Sequence, residues 1–305
     1  MSINLQFHKL INNPKIKFTI ILGSGFHKYA LSTRDSVLSS WDLLLRALDP
    51  NVKLTEQYHL DFERIIQAKK LDSEDSYKTE KRVIQCVQKI IKYEQAKVIE
   101  DCSKCYPMGI FNQKKVSDVI SLNFDEIPEL LLGKQKEVKV GKFENDSSFS
   151  KSSKDSYAYL SSRFKSFKIG EKGTIRFWHP HGIISNNKSI VLGVHRYSQM
   201  LNEKIRMRNH QLKEKRGNSS DTTWYNCLID NPVIILGAGM SPTEWDMWFA
   251  LTSKNRANGT KTQIFQMREC ECKKDHRHEW FEPLFRGMSF KEQWEELDKL
   301  FKKIK

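Results

Sequence analysis

Three short apolar runs, each ending in glycine or in small polar side chains, constrain the fold of this chain more than any other feature. Phe18 to Leu22 runs straight into Gly23-Ser24-Gly25-Phe26-His27. Val119, Ile120 and Leu122 lead to Asn123 and Asp125, and Val233 to Leu236 turns through Gly237-Ala238-Gly239-Met240-Ser241. Continuous apolar runs of strand length belong to strands covered on both faces, the condition of parallel sheets in α/β proteins. Glycine directly after such a strand lets the backbone turn sharply and approach a ligand with no Cβ in the way. An amide and a carboxylate two residues apart at another strand end put polar groups where open α/β sheets bind ligands. Loop chemistry alone also accounts for an Asn and an Asp in an exit turn, so only several such ends occurring together point to a ligand site.

Between the first two runs the pattern is helical. Asp35 or Ser36 can cap a helix through Trp41, Leu44, Leu45 and Leu48. Another follows over Leu60 to Lys70, and a longer one starts near Tyr77 with Val83, Val87, Ile90, Ile91 and Val98 on one face. This is too much chain for one crossover, so residues 50–112 are expected to form a helical insertion. Ile127 to Gly133 reads as a short helix. Residues 134–156, rich in Lys and Ser and poor in large apolar residues, read as a mobile basic loop. Order returns at Thr174 to Trp178, a strand ending in His179-Pro180-His181-Gly182. Ser189 to Leu192 reads as a further strand, Tyr197 to Lys215 as a basic helix, Thr262 to Met267 as the last strand, and Phe290 to Ile304 as an amphipathic helix on the body. Strands alternating with helices predict a Rossmann-like, doubly wound, mostly parallel sheet with an inserted helical part, in one domain over 1–305.

The chain has 305 residues with 51 Lys+Arg against 37 Asp+Glu, a net charge of +14 that suits polyanionic partners without specifying which. No charged start with a long apolar core opens the sequence, and no apolar run approaches a membrane span, so a cytoplasmic protein is expected. Cys102 and Cys105 have metal-ligand spacing and Cys270-x-Cys272 precedes His276 and His278. The pairs lie too far apart for a compact zinc site, and no metal is expected.

Taken in order, a glycine loop at Gly23-Ser24-Gly25, the strand end Ser121-Leu122-Asn123-Phe124-Asp125, His181-Gly182, and the late turn Gly237-Ala238-Gly239-Met240-Ser241 resemble the sirtuin-like NAD-binding fold. The resemblance spans about residues 16–270 through short motifs only. It is nearest to the bacterial sirtuin-like proteins of anti-phage defence, which hydrolyse NAD. The protein deacylases of the family carry a four-cysteine zinc module after their His-Gly pair, whereas only Cys227, Cys270 and Cys272 follow His181 here.

The resemblance implies an NAD(+) glycohydrolase that cleaves the nicotinamide–ribose bond to give nicotinamide and ADP-ribose or a cyclic form, with NAD as substrate. Asn123 would position the water and contact the ribose, and His181 would act as general base, its ordinary pKa near 6.5 suiting neutral pH. Asp125 would accept from the nicotinamide carboxamide. Gly23, Ser24, Gly25, Phe26 and His27 would hold the diphosphate, and Gly237, Ala238, Gly239 and Ser241 the adenosine ribose. His27 stands where the family has a hydroxyl. His179 shares a face with His181 on an extended segment and competes for its role. The resemblance further implies an antiviral, abortive-infection effector, a homo-oligomer, and activation by assembly or by a partner such as a HerA-type DNA-translocase ATPase. The alternatives are a non-catalytic NAD- or ADP-ribose-binding subunit of a DNA-associated complex, an NAD-dependent deacylase, or a nuclease or DNA-binding protein resting on charge alone.

Overall fold

Phe18–Leu22 is buried along its whole length and forms the middle of an eight-stranded sheet in the computed structural model of the protein. The structure describes residues 2–32, 34–55, 57–71, 75–112, 114–134, 138–144, 164–169, 173–185, 189–202, 224–240, 244–258, 263–268 and 280–304. In chain order the strands are β1 (Ser2–Ile3), β2 (Phe18–Leu22), β3 (Val116–Ser121), β4 (Val138–Glu144), β5 (Phe164–Ile169), β6 (Gly173–Trp178), β7 (Val233–Leu236), β8 (Ile264–Gln266), β9 (Glu282–Pro283) and β10 (Phe285–Arg286). The helices are α1 (Leu5–Asn12), α2 (Gly25–Ala30), α3 (Trp41–Leu48), α4 (Tyr58–Ala68), α5 (Ser76–Asp101), α6 (Ile127–Lys134), α7 (Trp224–Asp230), α8 (Trp245–Asn258) and α9 (Phe290–Lys303). Residues 194–202 are also helical.

The sheet order is β4-β5-β6-β3-β2-β7-β8-β9, parallel from β6 to β9, with β4 and β5 added antiparallel at one edge. Counted along the chain, the parallel strands run 3-2-1-4-5-6, the doubly wound order with its reversal between the first and fourth. That reversal lies between β2 and β7, where Leu22 pairs with Leu236, and Leu22 pairs with Ser121 on the other side. The expected mostly parallel α/β architecture is therefore what the chain adopts. Asp118 and Arg176 are register partners on β3 and β6, and both guanidinium contacts close on one carboxylate at 2.7 and 3.0 Å. Trp178 Nε1 donates to the same carboxylate at 2.9 Å, so a buried charge is satisfied where two strands meet.

The crossover from β2 to β3 carries α2 to α5. Leu44, Leu45, Phe62, Ile65, Val83, Val87 and Ile91 face inward along α3, α4 and α5 at helical spacing and join the core on one face of the sheet. The cap of α3 is Ser40 rather than Asp35 or Ser36, its hydroxyl accepting from Leu43 N–H. At the other end of the chain, Trp294, Leu297 and Phe301 bury one stripe of α9, which a capping box between Ser289 and Glu292 starts. Asp298 of α9 accepts from Gly109 N–H at 2.7 Å, tying the tail to the insertion.

Three sequence expectations change. Within the basic stretch 134–156, residues Val138–Glu144 form β4, paired with β5; residues 145–156 lie outside those described. Ser189 to Leu192 makes no ladder: Val191 N–H donates singly to His181 O at 2.8 Å, and the segment supports that loop from beside the sheet. The chain adds short strands after β8, at Glu282–Pro283 and Phe285–Arg286, whose two-residue lengths carry no periodic signal. Of the basic helix, 197–202 is helical and 203–215 lies outside the described residues. Among the described residues no helix is long and apolar enough to cross a membrane.

Candidate functional site

At the reversal point the two glycine turns press together backbone to backbone. Gly25 N–H donates to Gly237 O at 2.8 Å and Gly23 N–H to Leu236 O at 2.9 Å. A Cβ on Gly25 would stand 2.5 Å from Gly237 Cα, and one on Gly23 would stand 2.6 Å from Gly237 O. Gly237 itself has φ +63, open to glycine at no cost, and a Cβ there would meet Phe26 N at 2.6 Å. The glycines are thus explained first by this contact between β2 and β7 exits. Ser24 and Ala238 lie beside it, at the mouth that the contact leaves open.

That mouth is a cavity of about 240 Å³. It is lined by Gly23, Ser24 and Leu122, by Gly237, Ala238 and Gly239, and by Asn123 and His181. Strand ends that lie far apart in sequence therefore converge on one space. The outer wall is aromatic: Trp41, Tyr58, His59 and Tyr197 line it, with Trp41 stacked on Tyr58 at 5.8 Å and His59 on Tyr197 at 4.1 Å. Among the described residues that line the cavity there is no lysine or arginine, and Glu244 is its acidic member.

His181 is buried to 8% exposure and its Nε2 lies 3.0 Å from Asp246 Oδ2. Asp246, fully buried in the first turn of α8, also accepts from the Tyr197 hydroxyl at 2.6 Å. Gly182 has φ +93, and a Cβ there would come within 2.0 Å of Ser189 O, so the residue after His181 is glycine for a local reason. Burial and the neighbouring His181 push the pKa of His59 down from 6.5 to about 4. In the folded protein His59 stays neutral where the unfolded chain is protonated, so stability is fully present above pH 6.5 and falls as pH drops toward 4. His59→Phe keeps the stacking and removes this titration. Its melting temperature is expected to exceed wild type at pH 5 by the equivalent of at most about 2 kcal/mol, and to match it at pH 7.5. Thermal melts at both pH values check this.

Other expected site residues face elsewhere. Phe26 is fully buried in the core between Tyr106, Phe111 and Trp294, and His27 is fully buried beneath the loop. Neither side chain lines the cavity, because α2 begins at Gly25 and turns both residues inward. His27 is instead a crosslink: Nε2 lies 2.9 Å from Asp125 Oδ2 and Nδ1 lies 3.0 Å from the Tyr106 hydroxyl. A carboxylate only accepts, so Nε2 donates to Asp125, and in the neutral ring Nδ1 accepts from the Tyr106 hydroxyl.

Asp125 uses its second oxygen to accept from Ile127 N–H at 3.0 Å, capping the start of α6. Burial alone would raise the Asp125 carboxyl, but His27, the Ile127 N–H and His179 outweigh it and hold the pKa below the ordinary value. Its stability contribution is therefore present above the unfolded value and lost as pH falls through the folded one. Asp125→Asn is expected to cost about 3 kcal/mol, read by urea unfolding at pH 7. Asp125 borders a smaller space of about 40 Å³ beside Trp41 and Asn123 rather than the main cavity. Asn123 borders both, with its amide Nδ2 placed 3.4 Å from His27 Nε2. Since that ring nitrogen already donates, the amide oxygen is the group suited to the contact, which turns the NH₂ toward the cavity.

No protein-family model matches this chain, and no curated protein does.

The two histidines of the His-Pro-His segment separate cleanly. His179 Nε2 lies 2.5 Å from Glu129 and its Nδ1 3.3 Å from Asn123 O, so it braces the β3 exit, while His181 lines the cavity. Ser241, Cys270 and Cys272 lie outside the described residues. Among the described residues no group of three or more His, Cys, Asp or Glu is placed to hold a metal. Asp246, Tyr197 and His59 were not legible as site residues. Asp246 reads as a first-turn helix acid and Tyr197 as an inward helix position, while His59 falls just before the helix expected over Leu60 to Lys70.

Proposed function

We propose that the chain is an NAD(+) glycohydrolase, releasing nicotinamide and ADP-ribose from NAD and water. The observation that carries this reading is that Asn123 and His181, from separate strand exits, line one cavity with the backbone of the Gly23 and Gly237 turns. That is the reversal point of a doubly wound sheet, where nucleotides are bound in such folds. A volume of about 240 Å³ suits the nicotinamide riboside half of the dinucleotide better than the whole, leaving the adenosine to extend past Gly239. The nicotinamide ring of NAD is a cation. An aromatic wall and an acidic residue favour it, and a lysine or arginine would oppose it.

In this reading the backbone of Gly23 and Ser24 takes the phosphate nearest the ribose. The NH₂ of Asn123 holds the ribose and the attacking water, and His181 accepts the water proton. The C1′–N bond breaks with its electron pair leaving on nicotinamide, which needs no acid. Asp125, held by His27, fixes the strand exit on which Asn123 stands. A linear or a cyclic product follows from whether water or a second group of the ligand reaches C1′. Unrestrained NAD loss is toxic, so the activity is switched on by self-assembly or by a partner, with a DNA-translocase ATPase of the HerA type fitting the chain's positive charge. The role is that of an effector that arrests an infected cell, as in the family the motifs resemble.

Nicotinamide release from NAD by the purified protein, alone and with a candidate activating partner, tests the reading. Release by wild type and a loss of it in His181→Ala support it. NAD binding without release under any condition would replace it by the non-catalytic binding reading.

A further inference from the structure

His181, Asp246 and Tyr197 come from three separate segments, and their polar atoms close on one buried carboxylate. His181 Nε2 lies 3.0 Å from Oδ2, the Tyr197 hydroxyl donates to Oδ1 at 2.6 Å, and the same hydroxyl oxygen accepts the Asp246 backbone N–H at 3.1 Å. Burial and the adjacent carboxylate both push the Tyr197 phenol up, so it keeps its proton and remains a donor. The carboxylate can only accept, which makes Nε2 the donor of the His181 ring and leaves the lone pair on Nδ1. Among the described residues nothing bonds Nδ1, and the ring lines the cavity. The other titratable groups facing this side are His59, which is neutral at physiological pH, and Glu244.

The geometry points to Asp246 as a positioning residue that fixes His181 in the Nε2–H tautomer and makes Nδ1 the basic nitrogen of the site, with Tyr197 holding the carboxylate in place. A free imidazole presents either nitrogen; one anchored by a buried carboxylate presents one, in one orientation. The kinetic consequence rests on the hydrolase reading. There, a water O–H breaks, its oxygen bonds to C1′, the C1′–N bond leaves its electrons on nicotinamide, and the proton arrives at Nδ1. The imidazolium so formed keeps its Nε2–H on Asp246, whose charge compensates it.

Histidine-selective ¹⁵N NMR of the full chain, with His181→Gln to assign the resonance, reads the tautomer directly. Neutral His181 is expected as Nε2–H in wild type, to lose that preference in Asp246→Asn, and to regain it in Asp246→Glu. Nicotinamide release is expected to fall in Asp246→Asn by on the order of 10²- to 10⁴-fold, less in Tyr197→Phe, with partial recovery in Asp246→Glu. An Nδ1–H tautomer in wild type, or wild-type release by a folded Asp246→Asn, overturns the assignment. If wild type shows the Nε2–H tautomer but releases no nicotinamide, the positioning role stands and the hydrolase reading falls.

Discussion

Replacing Asn123 by alanine is expected to lower nicotinamide release by on the order of 10²- to 10³-fold, the usual cost of removing one preorganised polar group from a reacting centre. Stability should hardly move. The Asn123 side chain is part-exposed, and among the described residues its one polar side-chain contact is at 3.4 Å, whereas its backbone, which alanine keeps, carries the bond to His179. The melting temperature is expected within about 2 °C of wild type, as for a substitution that opens no cavity in the core. Asp125→Asn should behave in the opposite way, losing stability because a buried partner of His27 is removed. Activity lost in a stable Asn123→Ala, beside stability lost in Asp125→Asn, would divide the strand exit into a reacting residue and its support. A stable Asn123→Ala that releases nicotinamide at the wild-type rate would remove Asn123 from the chemistry.

The sequence displayed the strand exits because each is a local signal, an apolar run followed by glycine or small polar residues, and topology then brings such ends to one edge. It could not display which neighbouring side chains turn inward. Phe26 and His27 follow Gly25 in the chain, but the first turn of α2 rotates both into the core, and where a helix begins is set to within a residue by the Gly25–Gly237 contact. His181 and Asp246 are 65 residues apart, and His59 and Tyr197 meet across two helices, so no spacing rule connects them. The Lys-rich stretch around β4 read as a loop because β4 is the terminal strand of the sheet, and edge strands accommodate charged residues such as lysine.

Gly25→Ala is expected to destabilise the protein by about 2–4 kcal/mol, with a fall in melting temperature of several degrees. The added methyl would stand 2.5 Å from Gly237 Cα and 2.9 Å from Gly237 O, and backbone cannot swing away as a flexible side chain can. Relief requires β2 and β7 to part at their carboxyl ends, which lengthens the 2.8 Å bond from Gly25 N–H to Gly237 O. The same movement displaces Ser24 and Ala238, both of which line the cavity, so nicotinamide release should fall even well below the melting temperature. Gly239→Ala is the matched control. It lies in the opposite turn, two residues after the Gly237 that Gly25 touches; its Cβ would meet nothing within 4 Å, and its stability is expected within about 0.5 kcal/mol of wild type. Equal melting curves for the two variants would show that the turns are not held in contact, and the cavity's geometry would lose its main physical cause. A large difference between them, in the direction given, ties the shape of the site to two glycines that carry no chemistry of their own.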